Sequence, residues 1–294
     1  MRRIVVTGAN KGIGRAIVAA IVREHGDAFV YLGSRDAARG EATRAALVEG
    51  DPSWHDRIEV LPVDVADAAS VNAAADRVRS GCPGEATPLY AVVNNAGIGL
   101  GDANLRRVIE VNARGVQRVA DAFVPLVRPN GGRVVNVTSA SGPTFVSACS
   151  GERQRFFVDP AVTRAQLDAF VEDCLRTPDA AAFAAKGLSD GSPYGLSKAC
   201  ANTLTMVLAH EHPELHINAC TPGYIETDLT RPHASARGVS PADMGMKPPE
   251  HGTSAPLHLL FGELEGNGRF YGSDAERSPL HEYRAPGSPP YTGG

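Results

Sequence analysis

The chain has 294 residues, 43% of them hydrophobic and 21% charged, with a formal net charge of −4. That apolar share supports a sizeable globular core, and no basic surplus points to nucleic acid or an anionic membrane as partner. The length leaves one large α/β domain or two small ones open.

The elements follow in chain order. Residues 4–7 (IVVT) are a short apolar run that leads into a glycine-rich turn. Ile13, Ile17 and Ile21 then repeat at helical spacing. Strand and helix alternate from there. Strands are expected at 28–32, 58–63, 89–93, 133–138, 216–220 and 268–272, and helices at 39–48, 67–78 and 105–127. Short Val/Ile-rich strands alternating with helices imply a parallel sheet covered on both faces. Right-handed crossovers make it a doubly wound, Rossmann-type α/β fold. One stretch breaks the rhythm, because more than fifty residues separate Ser139 from Tyr194 where one loop would do. Within it, 163–176 has an amphipathic pattern with Leu167, Phe170, Val171 and Leu175 on one face. The expectation is a single domain over 1–283 with a helical insertion at about 143–191. The Pro- and Gly-rich tail, 284–294, is expected to be disordered.

Cys82, Cys149, Cys174, Cys200 and Cys220 are scattered and never spaced CxxC. That argues against disulfides or a zinc site and fits a reducing compartment. No apolar run is long enough to span a membrane, and a strand starts almost at the first residue, which leaves no room for a signal peptide. The expectation is a cytoplasmic protein. His210 and His212 stand near a helix end with no third ligand in view, so no metal is expected.

The first turn reads TGANKGIG, with Gly8, Asn10, Lys11, Gly12, Ile13 and Gly14 between strand and helix. Glycines there let backbone approach a pyrophosphate, and the helix offers its first N–H groups. After the second strand come Arg35, Asp36 and Arg39. An acid at this place bonds the 2′-hydroxyl of NAD, whereas an arginine fork suits the 2′-phosphate of NADP. Arg35, with Arg39 and Lys11 as further charge, favours NADP. Asp36, turned inward, would instead bind a bare ribose.

TGANKGIG, Asp64-Val65, NNAG at 94–97, Asn112, Ser139 in VNVTSAS, YGLSK at 194–198 and PGYIET at 222–227 occur in one order. In that order the chain resembles the short-chain dehydrogenase/reductases over about residues 3–283. Within that family it is similar to the monomeric carbonyl reductases, which carry a long insertion before the catalytic tyrosine. SRDAARG, CSGERQRF and FVEDCLR add to the likeness. The resemblance implies NADPH-dependent reduction of a small-molecule aldehyde, ketone or quinone, and a monomer whose insertion covers the surface that relatives use to form tetramers.

The chemistry fits those residues. Tyr194 and Lys198, at i and i+4, share one helical face. A lysine cation favours the phenolate and lowers a tyrosine pKa, which makes Tyr194 a better proton exchanger near neutrality. Ser139 can stabilise negative charge on the substrate oxygen. Asn112 can hold a water that links Lys198 to solvent. Lys198 is also expected on the nicotinamide ribose. Asp64 and Val65 are expected at the adenine, and Asn95 and Gly97 at its ribose. Pro222, Gly223, Ile225 and Thr227 are expected to close over the nicotinamide. Ser139, Ser141 and Tyr224, with Phe145 and Cys149, are candidate walls of the substrate pocket. Two other readings stand beside this one. One is an NADP-dependent dehydrogenase of a specific secondary alcohol in a biosynthetic pathway. The other is a non-catalytic NADP-sensing protein.

Overall fold

A computed structural model describes residues 1–264 and 266–293. In chain order its elements are β1 (Arg2–Val6), α1 (Gly12–Glu24), β2 (Ala28–Ser34), α2 (Ala37–Gly50), β3 (Ile58–Pro62), α3 (Ala68–Ser80) and β4 (Leu89–Asn94). Next come α4 (Leu105–Asn112), α5 (Arg114–Phe123), β5 (Arg133–Val137), α6 (Ser141–Ser147), α7 (Gly151–Val158), α8 (Arg164–Arg176), α9 (Ala180–Ala185) and α10 (Pro193–Glu211). The chain ends with β6 (His216–Cys220), α11 (Arg231–Ala236), α12 (Ser254–Phe261), β7 (Phe270–Tyr271) and β8 (Arg277–Ser278).

The eight strands run in the order β3-β2-β1-β4-β5-β6-β7-β8. All pairs are parallel except β7 with β8. The winding reverses between β1 and β4, so a crevice opens at their carboxyl ends. Each face carries its own apolar layer. Val5, Val92, Val134 and Ile217 meet Val119, Phe123 and Leu204 on one side. Ile4, Val30, Val93 and Val135 meet Ile17, Ile21 and Leu259 on the other. Strands buried on both faces explain why they read as continuous apolar runs rather than as alternating ones.

Three expectations are corrected. The helix expected over 105–127 is interrupted at Ala113 (φ −116°, ψ −59°), and a 3-10 turn, Val124–Leu126, replaces its end. The Asn112 carboxamide is engaged with a neighbouring loop at the first break, and Pro125 has no N–H to continue the ladder at the second. The seventh strand shrinks to two residues, and the antiparallel β8 follows it. The tail expected to lack order makes defined contacts: Arg284 pairs with Asp274 at 2.9 Å, and the Tyr291 N–H donates to the Arg277 carbonyl at 3.0 Å.

The insertion supplies α6 to α9. Thr163 caps α8 in a reciprocal capping box with Gln166, so the helix starts where its sequence signals. Leu167, Phe170 and Val171 are buried, and Cys174 rather than Leu175 completes the buried face. Phe170 packs edge-on against Phe157, ring centroids 5.3 Å apart. Charged pairs fasten this layer to the helices beneath. Arg164 bonds Asp121 at 2.8 Å and Glu211 at 2.5 Å, and Arg114 pairs with Glu172.

Candidate active site

The glycine loop closes the top of β1. Gly8 has φ +62°, and a Cβ there would lie 2.8 Å from the Ala96 Cα. A Cβ on Gly14 would lie 2.4 Å from Asn95 Nδ2 and 2.5 Å from the Gly8 carbonyl oxygen. Asn95 is what braces this turn, since its Nδ2 donates to the Thr7 and Gly8 carbonyls at 2.9 and 3.1 Å. Thr7 Oγ1 accepts from the N–H groups of Asn95 and Ala96 at 3.0 and 3.1 Å. Asn95 thus shapes the loop from below, a role that its place in NNAG did not announce. The Asn10 carbonyl accepts from Thr43 Oγ1 at 2.7 Å, which ties the loop to α2. Ile13 faces Gly252. Lys11 is the residue before α1, and its side chain turns away from the helix to bond Asp228 at 2.7 Å. The first-turn N–H groups of α1 therefore face a ready anion position.

The acid and the arginines at the end of β2 take different places. Asp36 caps α2, its Oδ1 accepting from the Arg39 N–H at 3.1 Å. Arg35 and Arg39 remain largely exposed, at 76% and 72%, each loosely paired, Arg35 with Asp64 at 4.0 Å and Arg39 with Asp36 at 3.5 Å. Lys11, expected beside them, is paired with Asp228 instead. Val65 is buried against Gly115, and Asp64 accepts from the Ala66 N–H.

Ser139, Tyr194 and Lys198 meet at the carboxyl end of β5. Ser139 Oγ accepts from the Ser141 N–H at 3.1 Å and donates to Ser141 Oγ at 3.2 Å. Tyr194 lies in the first turn of α10 behind Pro193, with its phenol on the side of Ser139. Lys198 follows one turn later and is 4% exposed. Its Nζ stands 5.6 Å from the Tyr194 ring centroid and donates to the Val137 carbonyl at 3.4 Å. Burial pushes the phenol up to about 12, opposed by the Ser139 hydrogen bond. Burial lowers the ammonium to about 8, opposed by Cys220. A phenol and an ammonium held together in a closed site thus each disfavour their own charged form.

Asn112 lies beside this group. Its Oδ1 accepts from the Ile98 N–H at 2.9 Å, and its Nδ2 donates to the Ile98 carbonyl at 2.9 Å and to Ser197 Oγ at 3.0 Å. Ser197 Oγ in turn donates to the Tyr194 carbonyl at 2.8 Å. A Cβ on Gly97 would stand 3.5 Å from both Asn112 Oδ1 and Lys198 Nζ, so Gly97 adjoins the same pocket. Sequence reasoning missed Thr7 and Ser197 as supports. Their only signal was adjacency, Thr7 to Gly8 and Ser197 to Lys198.

The loop after β6 leans over the glycine turn. Gly223 has φ +91°, and Pro222 adjoins Gly252. Ile225 is 3% exposed and pairs as a β-bridge with Lys247. Thr227 Cγ2 would lie 3.3 Å from a Cβ on Gly12. Tyr224 is 38% exposed and remains open to a ligand. Ser141 adjoins Ser139, but Phe145 and Cys149 turn into the core, at 6% and 7% exposed, because the insertion helices cover them. Burial raises the Cys149 thiol to about 11, which leaves it inert near neutrality. A separate depression of about 350 Å³ opens at the β2–β3 edge beside Phe29, Arg44 and His55 and holds none of these groups.

With this geometry in place, comparisons with known proteins add the following. A family model described as short chain dehydrogenase matches residues 2–150. The carbonyl reductase (NADPH) 1 of Sus scrofa is 33% identical over 288 residues, 92% of this chain and 91% of that protein. The carbonyl reductase (NADPH) 3 of Rattus norvegicus is 31% identical, covering 88% and 91%. Among solved structures, menthone neomenthol reductase from Mentha piperita has a TM-score of 0.70 at 25% identity, covering 92% of this chain and 98% of that one. Salutaridine reductase from Papaver somniferum has a TM-score of 0.75 at 23% identity, covering 92% and 99%, and shows the shared fold.

Proposed function

The chain belongs to the short-chain dehydrogenase family, and from that premise we propose that it is an NADPH-dependent carbonyl reductase acting on a small aldehyde, ketone or quinone. The observation that carries this reading is the assembly of Ser139, Tyr194 and Lys198 at the carboxyl end of β5, next to a braced glycine loop. A dinucleotide fits the residues present. Gly8 and Gly14 have no room for a side chain, the start of α1 offers N–H groups to a pyrophosphate, and Arg35 and Arg39 are exposed where a 2′-phosphate would stand. Two relatives that cover most of the chain carry NADPH in their names.

NADPH, when bound, supplies the hydride. Ser139 orients the carbonyl oxygen and donates to it as negative charge grows there. The Tyr194 phenol gives its proton to that oxygen. Lys198, cationic near neutrality and 5.6 Å from the Tyr194 ring, stabilises the phenolate left behind. Asn112, held at the break between α4 and α5, fixes the loop at Ile98 and the start of α10, and so sets the approach by which solvent protons reach Lys198. Ser141 and Tyr224 line the substrate side.

We also infer a monomeric, cytoplasmic enzyme. Support for the monomer comes from α8, which lies across α10 and is pinned to α5 by Arg114 and Arg164. Among the described residues no helix is long and apolar enough to cross a membrane. The second reading, an NADP-dependent reductase or dehydrogenase of one biosynthetic alcohol, draws support from the likeness to menthone neomenthol reductase. A substrate panel of quinones, diketones, aldehydes and terpenoid ketones, run with NADPH and NADH, separates the two. Broad turnover with NADPH supports the first reading. Turnover of one terpenoid-like ketone alone supports the second, and binding of NADPH without any turnover sinks both.

A further inference from the structure

The chain after β8 returns to the catalytic side of the sheet. β6 and β7 run parallel, so the turn at 272–276 stands at the same end as Pro222 and Gly223. The two segments touch there, since a Cβ on Gly223 would lie 3.1 Å from Ser273 Cβ. Beneath the turn sits Arg284, whose side chain is only 6% exposed. Its Nη1 and Nη2 donate to Asp274 Oδ1 and Oδ2 at 3.0 and 2.9 Å as a two-point fork. The same guanidinium donates to the carbonyls of Ser288 at 2.5 Å and Pro289 at 2.9 Å. The Gly287 N–H donates to Asp274 Oδ2 at 2.9 Å. One buried cation therefore folds the tail back on itself and fixes it to the turn that abuts the loop carrying Tyr224.

The Pro- and Gly-rich segment is held by these polar contacts near Asp274 and, further along, by Tyr291, whose ring lies over Arg277 and edge-on to His281. Removing either charge leaves the other desolvated and unpaired, which frees the turn as well as the tail. The glycine loop has separate supports, in Asn95 and Thr7, and does not share this anchor.

We propose that Arg284 and Asp274 are positioning residues for the substrate side of the active site, which clamp the tail to the 272–276 turn and through Ser273 set the Gly223–Tyr224 loop. The clamp governs how a flat carbonyl compound is held against the Tyr224 ring, and it leaves the glycine loop at Gly8–Gly14 alone. The inference rests on the reading of the site as a carbonyl reductase.

The test uses the full chain with Arg284→Gln and, as a shape-preserving second variant should the first fail to fold, Asp274→Asn. KM for a quinone, KM for NADPH and kcat are measured beside hydrogen exchange of segments 222–226, 272–276 and 8–14. The proposal expects the quinone KM to rise about tenfold, well above any rise in the NADPH KM, while kcat stays within about twofold. It also expects faster exchange at 222–226 with 8–14 unchanged. A tail that exchanges freely while the quinone KM and segment 222–226 stay as in the parent overturns it, and so does an equal rise in both KM values. If the parent protein reduces no carbonyl, the proposed function fails, yet the exchange pattern still decides whether the clamp sets the loop.

Discussion

Lys198 is a charged group in a closed site, and that has a measurable stability cost. Burial lowers its pKa from 10.5 to about 8. Below pH 8 the ammonium is charged in the folded and the unfolded chain alike, and the fold carries the whole desolvation penalty. Between pH 8 and 10.5 the unfolded chain binds more protons, so stability rises with pH. Above 10.5 both states are neutral and the penalty is gone. The gap of about 2.5 pH units, at about 1.4 kcal/mol each, amounts to about 3 kcal/mol. Lys198→Met keeps most of the stem and removes the charge. It also removes the long bond to the Val137 carbonyl, a loss of about 1 kcal/mol. The cofactor-free variant should therefore be about 2 kcal/mol more stable than the parent at pH 7, as measured by urea unfolding. That advantage should shrink as pH approaches 10.5, and carbonyl turnover should be lost. A variant less stable than the parent at pH 7, or an advantage that does not change with pH, would refute the reasoning. A stabilised but inactive variant is the expected signature of a group retained for chemistry at the expense of the fold.

Other predictions concern the cofactor side. Gly14→Ala places a methyl 2.4 Å from Asn95 Nδ2, so NADPH binding measured by calorimetry should be lost, and stability should fall by about 2 kcal/mol. Replacing Arg35 and Arg39 together with serine should lower the preference for NADPH over NADH by about 10–100-fold in kcat/KM, as expected for lost charged hydrogen bonds. An unchanged ratio would remove the 2′-phosphate from these residues. Asp228→Asn breaks an exposed pair with Lys11 that contributes at most about 1 kcal/mol, so NADPH affinity should move less than about fivefold. A larger loss would mean that the pair closes over the bound dinucleotide.

What the sequence made legible was local or repetitive. The strand–turn–helix around Gly8, Gly12 and Gly14 and the i, i+4 spacing of Tyr194 and Lys198 are fixed by backbone geometry, so motif and structure agree. The amphipathic stripe of α8 was visible for the same reason, whereas its Thr163–Gln166 capping box was not read from the sequence. Contacts between residues far apart in the chain were not visible. Nothing near Lys11 foretold that its ammonium would meet Asp228, 217 residues away. Nor did Arg284 disclose Asp274, because a Pro/Gly composition describes the tail's own cohesion and not what an adjacent turn offers it. Side-chain direction was the other hidden quantity. Asp36 reads as an inward ribose ligand or a solvated turn residue, and its cap bond from the Arg39 N–H was not visible. Asn112 shows the same limit. Its position inside an apolar helical pattern concealed a break whose cause is the loop at Ile98.

The central claim is that Tyr194 delivers the proton in a carbonyl reduction driven by NADPH. The most direct measurement is the loss of NADPH absorbance with a quinone or diketone for the parent and for Tyr194→Phe, with NADPH affinity measured in both. The account predicts turnover in the parent, a fall of at least about 100-fold in the variant, and affinity held within a few-fold. A variant that keeps the parent's rate while binding NADPH normally would contradict it.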